Sequence, residues 1–141
     1  MRLPMPSLAR RLVACSLVAL AVVACNATES NQPCTDTPAL TVSADPAPKI
    51  DWTPTTCGEP WLSVQDLTAA QQPVVWTIVD TDKPCLPPIT YGVMPTGHDA
   101  GTVQVAPQPL LAGHSYKVTL YRERSPGDNF PVEVASTTFT R

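Results

Sequence analysis

Proline punctuates this chain so often that a long helix has little room to form. Seventeen prolines, against six glycines, divide 141 residues, and each removes a backbone donor and clashes with the preceding turn in a helix interior. Beyond residue 47, no stretch of ten residues free of proline and glycine carries apolar side chains at the 3.6-residue spacing of an amphipathic helix. What recurs instead is apolar/polar alternation, the period of a half-buried strand, between clusters of Pro, Gly, Asp and Asn. Residues 50–53, 61–67, 74–80, 89–93, 102–106, 115–123 and 132–140 are the candidate strands. Seven short strands in this span predict an all-β fold, a single antiparallel β-sandwich over residues 48–141. In 74–80 both faces are partly apolar, which places that strand inside its sheet. A hydrophobic fraction of 43% with 15% charged residues fits a chain with a real core and excludes a highly charged disordered one.

The first 24 residues have a different character. Arg2, Arg10 and Arg11 precede an apolar run, residues 12–24, that is too short to cross a bilayer as a helix but suits the core of a secretory signal. Val22-Val23-Ala24-Cys25 then resembles the lipobox of bacterial lipoproteins: an aliphatic residue, a small or β-branched residue, a small residue, then cysteine. The resemblance implies cleavage after Ala24 and diacylglyceryl transfer to the Cys25 sulfur. Acyl chains contribute about 0.8 kcal/mol per buried CH₂, so two or three of them hold a protein at a membrane without spanning it. The implied location is the bacterial cell envelope, at the outer membrane or the extracytoplasmic face of the cell membrane. Residues 25–47, dominated by Asn, Thr, Ser, Asp, Ala and Pro, read as a lipidated flexible tether whose only apolar stretch is Leu40-Thr41-Val42. Because the first 24 residues hold three of the nine basic side chains and no acidic one, the remainder carries a formal net charge of −6. That sign repels a phosphate backbone and argues against nucleic-acid binding.

Within the sandwich, residues 110–120 resemble the E–F corner of fibronectin type III and other immunoglobulin-like domains. Leu110, Gly113, Tyr116, Val118 and Leu120 stand where that family places a leucine, a glycine, the corner tyrosine and two following apolar residues. The resemblance implies that Tyr116 tucks its ring under the turn and bonds its hydroxyl to upstream backbone. Ala112 stands where the family commonly has proline. The family has one core tryptophan where this chain offers Trp52, Trp61 and Trp76; Trp76 is favoured by its strand, and spacing leaves Trp52 open.

Export implies an oxidising compartment. With Cys15 in the signal and Cys25 lipidated, Cys34, Cys57 and Cys85 remain. Cys57 precedes the second candidate strand and Cys85 follows the third, so both fall at one pole, and a Cys57–Cys85 disulfide is expected. The alternative, Cys34–Cys57, would pin the tether to the domain.

Motifs for chemistry are sparse. His98 and His114 fall in turns and read as solvated, as does the Arg122/Arg124 pair; no nucleophile elbow, phosphate-binding glycine loop or zinc motif is present. Asp80 and Asp82 form a weak calcium candidate, better read as a polar turn. The expectation is a non-catalytic lipoprotein with no cofactor and no metal, whose sandwich binds an envelope protein or glycan through residues 94–101 and 125–131 or by strand addition. An accessory subunit of an envelope complex is the alternative, and a hydrolase a distant third.

Overall fold

The computed structural model of the chain describes residues 34–125 and 130–141. Eight strands account for the regular structure there, together with one 3₁₀ turn at Ala100–Thr102. They are β1 (Ala39–Val42), β2 (Lys49–Thr53), β3 (Trp61–Asp66), β4 (Val74–Val79), β5 (Ile89–Thr90), β6 (Val103–Val105), β7 (Ser115–Glu123) and β8 (Pro131–Thr140). All pairings are antiparallel, in a three-stranded sheet of order β1-β2-β5 and a five-stranded sheet of order β6-β4-β3-β7-β8.

The alternation read from the sequence decides which side chains the sheets share. Along β3 the pattern is strict: Leu62, Val64 and Asp66 are buried while Trp61, Ser63 and Gln65 are only partly covered. Register then aligns Leu62 with Ile78 and Leu120, and Val64 with Trp76 and Val118. Ile50, Trp52 and Ile89 from the smaller sheet join them in one buried cluster, so the two sheets face each other as a β-sandwich. Trp52 and Trp76 are both essentially inaccessible. Each large apolar side chain so buried contributes roughly 1.5–3 kcal/mol. Strand β4 lies between β6 and β3, and Val75 and Thr77 on its other face are buried as well, as its two-sided pattern requires.

Three expectations are corrected. The tether was expected to run unpaired to residue 47, but residues 39–42 form β1, with Leu40 opposite Trp52 and Val42 opposite Ile50. Two apolar side chains suffice because β2 supplies a ready ladder and Leu40 and Val42 pack against the core. The strand expected over 89–93 stops at Thr90, since Gly92 adopts φ +75° and Val93 turns outward.

The third correction concerns the disulfide. Cys57 bonds to Cys34, with Cα atoms 5.5 Å apart, and Cys85 is a buried free thiol. The shared pole was read correctly from the strand order: Glu59 and Cys85 form an isolated antiparallel bridge, N–H to carbonyl at 2.9 and 3.0 Å. A Cβ on Gly58 would lie 2.7 Å from Pro84 Cβ, so the two segments press directly together. Cys34 nevertheless takes Cys57, because β1 pairs along β2 and brings the preceding chain, Arg122-bound at the Asp36 carbonyl, to that same pole. The Trp52 indole N–H donates to the Cys57 carbonyl at 2.7 Å and fixes the loop from inside.

Candidate functional site

At the disulfide pole the outer face of the five-stranded sheet carries a groove of about 150 Å³. Its walls follow from the β3 alternation, which sends Trp61 outward, and from register, which sets Trp61 opposite Tyr121 on one side and Val79 on the other. The Trp61 and Tyr121 rings lie 5.8 Å apart, tilted by 52°. Pro60 and Pro131 close the groove and Glu123 gives it a carboxylate. A polar row continues down the sheet: the Thr77 hydroxyl donates to Ser63 Oγ at 3.3 Å, and register extends the row through Thr119 to Ser136. Beside it the Ser136 hydroxyl donates to Glu133 at 2.6 Å and Lys117 pairs with the same carboxylate at 3.0 Å. These two contacts hold the Glu133 carboxyl below its ordinary range.

Arg122 lines the groove and belongs also to the layer beneath it. Its guanidinium grips both oxygens of Glu59, at 3.2 and 2.5 Å, and donates to the Asp36 carbonyl. The Glu59 side chain is fully inaccessible. Burial pushes its carboxyl above the usual range, and the Arg122 hydrogen bonds and charge recover only part of that. Arg122 is therefore a buried partner rather than the solvated strand end expected from the sequence. The groove floor is neutralised, and the aromatic pair with Glu123 is what it offers a ligand.

Next to the groove, Asp80, Asp82 and Asp99 border a second concavity. Two of its three carboxylates are already engaged: Asp80 Oδ1 accepts the Lys83 N–H at 2.8 Å, Asp80 Oδ2 lies 2.8 Å from His98 Nδ1, and Asp99 Oδ1 accepts the Gly101 N–H at 2.9 Å. His98 is thus buried against Asp80 instead of solvated. Among the described residues, no three His, Cys, Asp or Glu side chains are placed to hold a metal ion. Cys85, His98 and Asp80 stand in a row that invites comparison with a nucleophile relay. The geometry fails, because the Cys85 sulfur, at 4.0 Å, and Asp80 approach the same His98 nitrogen, whereas a relay needs one on each. Burial, with the Asp80 charge adding to it, also pushes the Cys85 thiol up to about 12, far from the thiolate that attacks.

No known family, curated protein or solved structure matches the chain.

Of the residues singled out by sequence, Ala24 and Cys25 lie outside the described residues. Leu110, Gly113 and Tyr116 come together at the pole opposite the groove. Tyr116 is buried, its hydroxyl accepts the Leu111 N–H at 2.7 Å, Gly113 sits at φ +80°, and Leu110 packs on the core. Replacing Tyr116 by Phe strands that N–H and should lower stability by about 1–2 kcal/mol, measured by urea unfolding. No change would show that water serves the Leu111 amide equally well.

The same end holds a second carboxylate–imidazole pair, Asp66 Oδ2 with His114 Nδ1 at 2.8 Å, while Asp66 Oδ1 accepts the N–H groups of Thr68 and Ala69. Burial alone would raise the Asp66 carboxyl; His114 and the two N–H groups outweigh it and hold the carboxyl below its ordinary range. Asp80 is lowered in the same way, burial being outweighed by the Lys83 N–H and His98. A carboxyl with a lower pKa in the folded state stabilises fully above its unfolded pKa and loses that contribution as pH falls through the folded one. Stability should therefore decline below about pH 4, and Asp66→Asn should flatten the decline in a pH series of urea midpoints.

Residues 94–101, expected to bind a partner, are tied to the body through the buried His98 side chain and through Lys83 Nζ, which donates to the Gly97 carbonyl at 3.0 Å, while Thr96, Gly97 and residues 99–101 stay exposed. Of the other expected loop, residues 126–129 lie outside the described residues. The sequence reading missed Glu59 and Arg122, since nothing in their spacing shows that residues 63 apart form a buried pair. Trp61 figures in the sequence only as one of three candidates for the core tryptophan, and its partnership with Tyr121 exists only through register.

Proposed function

We propose that the chain is a non-catalytic, membrane-anchored envelope lipoprotein whose sandwich, of immunoglobulin or fibronectin type III kind, binds an envelope protein or glycan in the Trp61–Tyr121 groove. The single observation behind the binding role is this aromatic pair, held half-open on the outer face of the sheet beside the Glu123 carboxylate. Aromatic rings next to polar groups suit recognition because they supply contact area at little entropic cost. The anchor rests on the Val22-Val23-Ala24-Cys25 motif behind its basic and apolar segments. Two features support the domain type. One is the bond from the Leu111 N–H to Tyr116. The other is strand order: β1, β2 and β5 share a sheet opposite β3, β7 and β8, as strands A, B and E oppose C, F and G in immunoglobulin-like domains, with β4 beside β3 as an added strand. Strand β6 departs from that plan, since it joins the β4 edge only after β5 has crossed to the other sheet.

Two variants test the reading. Cys25→Ser should shift the protein from membrane to soluble fractions, and persistence in the membrane would remove the anchor. Trp61→Ala should cut recovery of the bound partner or glycan from detergent-solubilised envelopes at least tenfold, with the melting transition essentially unchanged. Equal recovery would clear the groove of any role.

A further inference from the structure

The corrected disulfide changes how a lipid anchor would hold the body. The anchor in question is the acylation of Cys25 proposed above. Were the chain unattached to the body until residue 48, the tether could stretch roughly 75 Å and the body could present any side to the membrane. Instead, the chain is bonded to the body at Cys34, held again where Arg122 meets the Asp36 carbonyl, and paired from Ala39 onward. Eight residues, 26–33, then separate the acylated Cys25 from the first fixed point, and covalent geometry caps the span from Cys25 to Cys34 at about 30 Å whatever conformation they take.

The fixed point is also eccentric. Cys34 bonds Cys57, between the end of β2 and the start of β3, at the pole where β4 and β7 end and β8 begins. The nine residues of β7 run from one pole to the other, roughly 30 Å at the rise of a strand. The far pole, with residues 67–72, the Tyr116 corner and Arg141, thus stands a full body length from the attachment. The body's net negative charge opposes laying its flank on an anionic headgroup layer.

We propose that the Cys34–Cys57 pole is the membrane-facing end of the body, and that the Trp61–Tyr121 groove therefore meets its partner at the bilayer surface. The Tyr116 pole faces away.

The test uses the full acylated chain, isotope-labelled and placed in nanodiscs of phosphatidylethanolamine and phosphatidylglycerol doped with a lipid carrying gadolinium on its headgroup. Amide signals of Thr55, Gly58 and Asp82 should lose severalfold more intensity than those of Ala69, Ala112 and His114. A long Gly/Ser insertion between Asn31 and Gln32 should level the two sets while leaving the fold intact. Equal broadening in the uninserted chain, or stronger broadening at Ala112, overturns the orientation. Absence of broadening everywhere, together with an unmodified Cys25 by mass, overturns it through failure of the anchor itself, a distinct signature.

Discussion

Arg122→Ala should be among the most damaging single changes in this protein, lowering unfolding free energy by about 3–5 kcal/mol in urea at neutral pH. The reason lies in Glu59 rather than in the arginine. The Glu59 backbone is pinned by two bonds to Cys85 and its carboxyl is sealed from solvent, so it cannot swing out to water when the guanidinium is removed. A buried carboxylate left alone costs more than the ion pair ever contributed. The carboxyl already sits above its ordinary range because of burial, and losing Arg122 removes what opposes that rise. A group whose folded pKa is raised gains relative stability as pH falls, so the Arg122→Ala deficit should shrink on acidification from pH 7 towards pH 5. Glu59→Gln in the same background should recover part of the loss at pH 7. A deficit below about 1 kcal/mol, independent of pH, would mean that the pair behaves like an exposed one.

What could be read from the sequence follows the range of the interaction. Strand β7 occurs over Ser115–Glu123, the span its alternation marks, because Tyr116, Val118 and Leu120 face the core and each such position is fixed by its own neighbours. Trp76 could be assigned to the core for the same reason. Spacing leaves Trp52 open, and both rings are buried, one from each sheet. Strand β1 escaped notice because its stability comes from an existing neighbour and not from its own period; Leu40 and Val42 alone look like noise in a polar segment. His98 and Arg122 were misread as solvated for a related reason. Whether a turn histidine or a strand-end arginine is buried depends on which carboxylate the topology brings opposite, here Asp80 and Glu59. The groove lies furthest from sequence, since Trp61 and Tyr121 meet only once β3 and β7 have chosen a register.

The cysteines put the same distinction to a quantitative test. Cys34→Ser should reduce stability by roughly 3–3.5 kcal/mol, the loop-closure entropy of a bridge between residues 23 apart. The loss should register in the unfolded state, so denaturant dependence ought to steepen as the freed chain expands and exposes more surface. Cys85→Ser, by contrast, removes no cross-link and should cost far less. Mass mapping without reduction should recover Cys34 joined to Cys57, and Cys85 should resist alkylation until the protein unfolds, being buried with its thiol pushed up to about 12. If the two serine variants exchanged their effects, Cys57 would be bonded to Cys85, the chain before β1 would hang free of the body, and the short leash that turns the groove towards the membrane would not exist.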